Sequence, residues 1–189
     1  MPPESADDDV GPSPRLVIEP LDPAKHERAK FSCGVARLDN FLHRTARKQQ
    51  AADFTRVRVL VEDGEGPILG YYALNAHALE TVDNPPPEMV RHAPRSGSIP
   101  AVYLSMIAVD QRQQGRGLGR ILLADALDQA SAAAERIGIK AVVLDVIEDG
   151  GPEVAERRRA FYLAMGFQPF PSRPTRLFIG IDTVRAARS

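Results

Sequence analysis

The sequence predicts a mixed α/β domain in which antiparallel strands precede a β–α–β half. Two alternating apolar segments in the first half meet at the turn Asp63-Gly64-Glu65-Gly66, which is typical of an antiparallel hairpin. A glycine-rich turn near the middle of the chain separates a short apolar run from a long amphipathic segment. Strand-like and helix-like segments then alternate, which is the order of a β–α–β unit.

Composition is that of an ordinary globular chain. It has 189 residues, of which 43% are hydrophobic and 26% charged, enough for one domain with a full core. No apolar run approaches the roughly 20 residues that span a bilayer, and residues 1–14 contain no apolar signal-peptide core. We expect residues 1–14 to be a disordered acidic and proline-rich tail, 15–184 to be the domain and 185–189 to be a basic tail.

Cys33 is the single cysteine, so no disulfide can form within the chain. Together with the absence of a signal-peptide core, this predicts a reducing, cytoplasmic location. We expect Cys33 to be a buried structural thiol, with catalytic use as the alternative.

The first half begins with a predicted strand at 15–21, closed by Pro20 and Pro23. A helix follows to about Gln50, and its apolar side is formed by Leu38, Phe41, Leu42 and Thr45. Strands are predicted at 57–62 and 68–78, on either side of the hairpin turn. Residues 81–100 contain five prolines, and we expect a long loop that shapes a substrate rim.

The second half begins with a predicted strand at 101–109. A helix starts at Leu118, because apolar residues then recur at helical spacing as far as Ile137. A strand at 141–147 and a helix from about 153 to 165 follow, with Gly166 suited to the residue after the helix. The last strand is expected near 176–181.

The turn between strand and helix has the properties of an anion-binding loop. Gly115, Gly117 and Gly119 allow close approach of a ligand, and the helix that follows points its free N–H groups toward an anion. Arg112, Arg116 and Arg120 add positive charge. A P-loop is excluded because no lysine lies between Lys48 and Lys140, and Gly-x-Gly-x-Gly fits a dinucleotide fingerprint poorly. The alternative is a glycine-rich turn before an ordinary helix.

The string Gln-x-x-Gly-x-Gly, at Gln114, Gly117 and Gly119, resembles the pyrophosphate loop of the GNAT acyltransferase superfamily. The resemblance covers roughly residues 15–183. It implies a central mixed, mostly antiparallel twisted sheet of six to seven strands flanked by helices, and an N-acetyltransferase that takes acetyl-CoA as co-substrate. The residues it implies at the acetyl-CoA site are Ile107, Ala108, Val109, Gln114, Gly115, Arg116, Gly117, Leu118, Gly119 and Arg120.

A second part of the resemblance is Phe-Tyr-x-x-x-Gly-Phe at 161–167. In GNAT enzymes this tyrosine reaches the CoA sulfur, so Tyr162 is implied as the general acid for the leaving thiolate. The alternative is a core aromatic residue. The family also polarises the thioester carbonyl with a backbone N–H where one strand splays from the next, which is implied here for 104–109.

The group that deprotonates the acceptor amine stays open between Glu62, Glu80, Asp145 and Glu148. An α-amino group has a pKa near 8 and has less need of a base than a lysine, with a pKa of about 10.4. The four histidines have no metal-ligand spacing, so we expect no metal.

The segment Phe31-Ser32-Cys33-Gly34 with Leu38-Asp39-Asn40-Phe41-Leu42, and Gly70-Tyr71-Tyr72-Ala73-Leu74, are similar to motifs of GNAT toxins from bacterial toxin–antitoxin pairs. That resemblance implies acetylation of the α-amine of aminoacyl-tRNA, which blocks translation, and a ribbon-helix-helix antitoxin. We also expect a homodimer and no membrane partner. The alternatives are a GNAT enzyme for a small-molecule or protein amine, and a non-catalytic acyl-CoA-binding module.

Charge is distributed in a way that suits a nucleic-acid substrate. The chain has a net charge of −1, yet residues 24–60 hold nine basic and three acidic side chains. Phosphate contacts require such an excess; the alternative is a solvated helix face. The residues expected to contact tRNA are Arg37, Arg44, Arg47 and Lys48.

Overall fold

The computed structural model describes residues 14–80, 85–95 and 97–188. The tail predicted at 1–14 therefore lies outside the described residues except for Pro14, which is exposed. The strands are β1 (Leu16–Pro20), β2 (His26–Glu27), β3 (Arg56–Glu62), β4 (Glu65–Leu79), β5 (Ile99–Val109), β6 (Ala141–Asp145), β7 (Gln168–Phe170) and β8 (Arg173–Gly180). The helices are α1 (Ala36–Asn40), α2 (Ala46–Ala51), α3 (Pro87–Val90), α4 (Leu118–Ala134), α5 (Pro152–Ala164) and α6 (Ile181–Ala186).

The strands form one mixed sheet in the order β1-β3-β4-β5-β6-β8-β7, and β2 pairs with β4. Neighbours are antiparallel except β5 with β6 and β2 with β4. The predicted hairpin of β3 and β4 is confirmed, as is the mixed, mostly antiparallel sheet. The sheet has eight strands in the described chain, against the six to seven expected, because the two-residue β2 joins it and the last apolar stretch is divided into β7 and β8.

Helices cover both faces of this sheet, because apolar side chains of β3 point to both faces. Val57, Val59 and Val61 face one core with Leu38 and Leu42 of the first helical region. Leu60 faces the opposite core, which contains Leu118, Leu122, Leu123 and Ala126 of α4. Successive side chains of a strand point to opposite faces, so one strand contributes to two cores. Among the described helices, none is long and apolar enough to span a membrane.

The helix predicted to run to about Gln50 is present over residues 36–51, but it contains a π-helical turn at Phe41–Thr45. The wider turn inserts one residue, so Ala46 continues the fully buried row after Leu38 and Leu42. Thr45, expected on the apolar side, is half-buried.

Two further regions differ from expectation. The proline-rich segment 81–100 contains the short helix α3, whose Met89 is buried, and β5 starts inside it at Ile99; residues 81–84 and 96 lie outside the described chain. The last strand ends at Gly180 instead of about 181, because Ile181 begins α6 and packs with Val184 against the α4 core. That helix extends to Ala186, inside the stretch expected as a basic tail.

Candidate active site

The site lies where β5 and β6 diverge. The two strands are paired only over Ala101–Tyr103 and Ala141–Val143, although β5 continues to Val109. The register between β5 and β4 also shifts, and Ser105 is the additional residue on β5. The splay implied for residues 104–109 is therefore present, and it leaves one edge of β5 without a β6 partner, so its N–H groups are available to a ligand.

A cavity of about 840 Å³ opens beside this splay, which is within the size range of small-molecule sites. It brings together β5, the glycine loop, the start of α4 and the end of α5. The predicted site residues that line it are Ile107, Ala108, Val109, Gln114, Gly115, Gly117, Leu118, Gly119, Arg120 and Tyr162. Arg116 is not among the lining residues, and its guanidinium donates to Gln113 Oε1.

The glycine loop is held open toward this cavity. Gly115 and Gly117 have φ values of 81° and 79°, in the region that favours glycine, and Gly117 is the residue before α4. A Cβ at either position would meet no protein atom within 4 Å. A Cβ at Gly119 would lie 3.8 Å from Phe161 Cζ, at ordinary contact distance. The space in front of the loop is thus open to a ligand, as phosphate groups at a helix N-terminus require.

Asp110 organises the loop from beneath. Its carboxylate is 1% exposed and accepts from the Arg112 backbone N–H at 3.0 Å, from Arg112 Nε at 2.8 Å and from the Ser32 backbone N–H at 3.2 Å. The hydrogen bond from Arg112 is the main reason that the pKa of Asp110 is lowered. Arg112 is therefore paired and adds little free positive charge, contrary to the expectation for this arginine. Gln114 Nε2 donates to Val109 O at 3.1 Å and to Cys33 O at 3.2 Å.

The segment around Cys33 forms another wall of the cavity. Asp39 fixes it by accepting from the Cys33 backbone N–H at 2.8 Å and from Ser32 Oγ at 3.0 Å. The Cys33 side chain is half-buried instead of buried as expected. Burial, followed by the hydrogen bond with Asp39, raises the pKa of the thiol to about 12. The thiol stays protonated near neutral pH, so it is a poor nucleophile.

Tyr162 lies at the end of the same cavity, in α5. Its ring is half-buried and packs edge-on against Phe161 and Phe167, with ring centroids 5.2 Å and 5.9 Å apart. Burial raises its pKa to about 12, and the nearby Arg158 opposes the shift. The hydroxyl therefore remains a proton donor at neutral pH. Tyr162 therefore combines the two roles that the sequence left as alternatives. Its ring packs against the core, and the residue also lines the cavity.

Sequence reasoning missed two arginines of this cavity, Arg157 and Arg158. Arg158 Nη1 donates to Ile147 O at 2.8 Å and also to Asp149 O, so it fastens α5 to the loop after β6. Arg157 is exposed at the cavity wall. The available signal was the run of three arginines before Phe161, one of which precedes Tyr162 by one helical turn.

A second cavity, of about 700 Å³, lies at the same divergence of β5 and β6, and Asp149 lines both cavities. Its wall is polar. The Tyr103 hydroxyl donates to Asp145 Oδ2 at 3.0 Å, and Arg176 Nε lies 3.4 Å from Asp145 Oδ1. Of the four carboxylates left open as bases, Asp145 and Glu148 line this cavity, while neither cavity includes Glu62 or Glu80.

Some of the basic side chains of residues 24–60 form ion pairs, and others do not. Arg37 Nε lies 3.2 Å from Asp149 Oδ2 and lines the second cavity. Arg58 pairs with Asp125. Within the described residues, Arg44, Arg47 and Lys48 are exposed and have no carboxylate oxygen within 4.0 Å. We call these three residues the α2 surface. In the same part of the chain, no group of three His, Cys, Asp or Glu side chains is arranged to hold a metal ion.

Comparison with known proteins connects this geometry to a family. Residues 55–169 match the family model described as an acetyltransferase (GNAT) domain. A probable toxin TacT of Sinorhizobium fredii is 46% identical over 172 residues, which is 91% of this chain and 94% of that protein. A tRNA-acetylating toxin of Mycobacterium tuberculosis is 33% identical over 156 residues, which is 82% of this chain and 87% of that protein.

Solved structures of similar fold agree with these relatives. A point mutant of KacT has a TM-score of 0.79 at 26% identity and covers 91% of this chain and 98% of its own. AtaT complexed with acetyl-methionyl-tRNAfMet has a TM-score of 0.80 at 25% identity, covering 93% and 100%. A mutant AtaT toxin bound to the C-terminus of the antitoxin AtaR and to acetyl-CoA has a TM-score of 0.75 at 25% identity, covering 92% and 98%.

Proposed function

The chain belongs to the GNAT acetyltransferase family, and we propose that it is a toxin that transfers the acetyl group of acetyl-CoA to the α-amine of aminoacyl-tRNA. Such a transfer blocks the amine that peptide-bond formation needs. The observation that carries the proposal is one cavity in which the open glycine loop, the unpaired edge of β5 and Tyr162 meet. The tRNA-acetylating relative and the AtaT complex with acetyl-methionyl-tRNA support the acceptor class.

The first cavity offers groups for both the pyrophosphate and the thioester of acetyl-CoA. The backbone N–H groups of 115–119 and the N-terminus of α4 receive the pyrophosphate, and Arg120 and Arg157 supply positive charge at the wall. The N–H groups of Ile107 and Val109, on the edge of β5 that faces away from β4, provide the donors that stabilise charge on the thioester oxygen. The thioester supplies an activated acetyl group. Tyr162 then donates its hydroxyl proton to the leaving sulfur.

The acceptor amine reaches the thioester from the second cavity. Asp145 and Glu148 lie in its wall, where carboxylates attract an ammonium group and can take the proton released on transfer. Because an α-amine has a pKa near 8, part of it is already neutral at pH 7, and the demand on a base is small. This suits carboxylates, which are weak bases at neutral pH.

The tRNA body contacts the α2 surface and Arg37. The three α2-surface cations are exposed and lack carboxylate partners within the described residues, so their charge is available to phosphates. Arg37 lies at the second cavity, where the aminoacyl end arrives. The proposed tRNA contacts are thus four cations of residues 24–60, three on the exposed α2 surface and one at the acceptor cavity.

The finer parts of the proposal concern assembly and location. We propose a cytoplasmic homodimer, neutralised by a ribbon-helix-helix antitoxin, in which residues 15–184 are the catalytic domain. The AtaT structure with the C-terminus of its antitoxin AtaR supports an antitoxin partner. A size measurement of the purified protein, alone and with a candidate ribbon-helix-helix antitoxin, tests both assembly statements.

The deciding experiment supplies the purified protein with labelled acetyl-CoA and a pool of charged tRNAs, beside polyamines, free amino acids and protein amines. We expect label on aminoacyl-tRNA, and its loss in the Tyr162→Phe variant. Label confined to the other amines would establish the acetyltransferase of small-molecule or protein amines instead. Acetyl-CoA binding without transfer to any acceptor would indicate a non-catalytic acyl-CoA-binding module.

A further inference from the structure

Phe54 is the most exposed large apolar side chain in the described part of the molecule, at 71%. Its backbone is nevertheless fixed on both sides. The Phe54 N–H donates to Gln49 O at 2.9 Å, and the Phe54 carbonyl accepts from Asn75 Nδ2 at 2.6 Å. Asp53 before it has a φ of 61°, which turns the chain sharply after α2. The fold therefore fixes the backbone of Phe54 and leaves its aromatic ring in solvent. The ring then gives up the stabilisation that its burial would contribute.

The backbone that carries this ring is linked to the wall of the acceptor cavity. The Asn75 amide that holds the Phe54 carbonyl also accepts, through Oδ1, from Ser105 Oγ at 2.6 Å. Ser105 is the additional residue of β5 and lines the second cavity. Two hydrogen bonds thus connect the Phe54 backbone to the wall of the cavity in which the acceptor amine is proposed to react.

The charge around Phe54 is that of a nucleic-acid surface. Lys48 and Arg47 of the α2 surface lie in the turns that precede it, and the Phe54 N–H bonds to the residue after Lys48. The acid next to Phe54 in the chain, Asp53, pairs with Arg56, whose Nη2 lies 2.7 Å from Asp53 Oδ1. An exposed aromatic ring that closely follows exposed, unpaired cations along the chain is a combination that binds unstacked bases of single strands.

We propose that Phe54 is a stacking platform for a nucleobase of the single-stranded 3′ end of the acceptor tRNA. The inference rests on the proposed function and deepens it, because it names the part of the substrate that is bound. Cations of the α2 surface hold phosphates, the ring of Phe54 holds a base, and the attached aminoacyl group enters the second cavity. Since every base has a π-face, the contact is tolerant of sequence.

The test compares Phe54→Ala and Phe54→Tyr with the wild type on two acceptors, aminoacyl-tRNA and a mixture of amino acid methyl esters, which carry an α-amine and no nucleotide. Ile137→Ala is the matched control, since Ile137 is 64% exposed and lines neither cavity. We expect Phe54→Ala to raise the KM for aminoacyl-tRNA about tenfold, the scale of one lost base–aromatic stack. The KM values for acetyl-CoA and for the esters should not change, and Phe54→Tyr should stay within about twofold of the wild type.

Three results would overturn the inference alone, while wild-type acetylation of aminoacyl-tRNA persists. They are an unchanged KM for tRNA in Phe54→Ala, an equal loss on tRNA and esters, and a change in the protein's oligomeric state that accounts for the loss. A wild type that acetylates the esters and no aminoacyl-tRNA would instead overturn the proposed function, and the inference with it.

Discussion

One hydroxyl group, that of Tyr162, is proposed to protonate the leaving sulfur. Tyr162 lines the first cavity, and within the described residues its hydroxyl has no hydrogen-bond partner, while the rings of Phe161 and Phe167 fix its position. An uncommitted hydroxyl in a wall of the acetyl-CoA cavity is suited to meet a developing thiolate. The Tyr72 hydroxyl, by contrast, donates to Asp125 and lines neither cavity.

We predict that Tyr162→Phe lowers turnover by about 10²-fold or more, the usual scale for loss of a general acid. Acetyl-CoA affinity and thermal stability should change little, because the ring and its packing are kept. Steady-state kinetics, calorimetry and a melting curve check this. Tyr72→Phe is the matched control and should lose stability while keeping turnover. Full activity of Tyr162→Phe would leave Tyr162 a core residue and the proton donor unassigned.

The pH dependence of transfer follows from the two groups that exchange protons. The acceptor α-amine must be neutral, so the rate should rise about tenfold per pH unit below pH 8 and then level off. Tyr162 acts in its protonated form, and since its pKa is raised to about 12, no fall is expected up to pH 10.5. Single-turnover transfer measured within seconds limits hydrolysis of the aminoacyl ester. A decline that starts below pH 10 would show that Tyr162 ionises at its ordinary pKa or that another acid is used.

At the scale of the elements, the geometry of the glycine loop suits the pyrophosphate binding predicted for it. Gly117 has a φ of 79° and open space where a Cβ would lie, and it faces the first cavity. Gly64, in the β3–β4 turn, has a φ of 82° and the same open space, but lines neither cavity. The two glycines thus have the same backbone conformation and the same free space, but only Gly117 lines the cavity.

Gly117→Ala and Gly64→Ala should each cost about 1–2 kcal/mol of folding free energy, since both force alanine into the left-handed region. Only Gly117→Ala should weaken acetyl-CoA binding, by about tenfold or more, because a methyl group in the cradle costs at least one charge-assisted hydrogen bond to phosphate. Denaturant unfolding and calorimetry separate the two effects. Equal acetyl-CoA affinities for the two folded variants would mean that the loop is not the pyrophosphate site.

Elements whose formation depends on neighbouring residues could be predicted from the sequence, and those that depend on tertiary packing could not. The β3–β4 hairpin and α4 were predictable, because turn residues and periodicity are properties of neighbouring residues. The π-helical turn at Phe41–Thr45 was not, because it is set by how Ala46 packs against β3 and β4. The second cavity was also hidden, since it needs Tyr103, Asp145 and Thr175 to meet from three strands.

At the scale of the whole molecule, a chain of net charge −1 carries, in its described part, a group of exposed cations without carboxylate partners on the α2 surface. Nine cations could be counted in residues 24–60, but the sequence did not reveal that Arg37, Arg56 and Arg58 are paired with acids, in two cases far along the chain. Lys30 is also paired, with Glu27, so that within the described residues Lys25 and Arg28 remain without a carboxylate partner beside the three cations of the α2 surface. The α2 surface lies on the helical layer opposite α4, on the same stretch of chain as Phe54.

Reversing one charge of this surface should therefore affect the tRNA and not the acetyl-CoA. We predict that Arg44→Glu and Arg47→Glu each raise the KM for aminoacyl-tRNA, leave acetyl-CoA affinity unchanged, and reduce the slope of log affinity against log salt by about one. One phosphate contact corresponds to about three- to fourfold between 50 and 200 mM salt, so the variants should differ most from the wild type at low salt.

Arg136→Glu is the matched control for this charge reversal. Arg136 is exposed just beyond α4, has no carboxylate within 4.0 Å among the described residues and lines neither cavity. It changes the net charge of the protein by the same amount, so it measures how much of any effect comes from long-range attraction alone. If Arg136→Glu weakens tRNA binding and alters the salt slope as much as Arg47→Glu, the α2 surface is not the tRNA contact, and the whole-molecule field accounts for the loss.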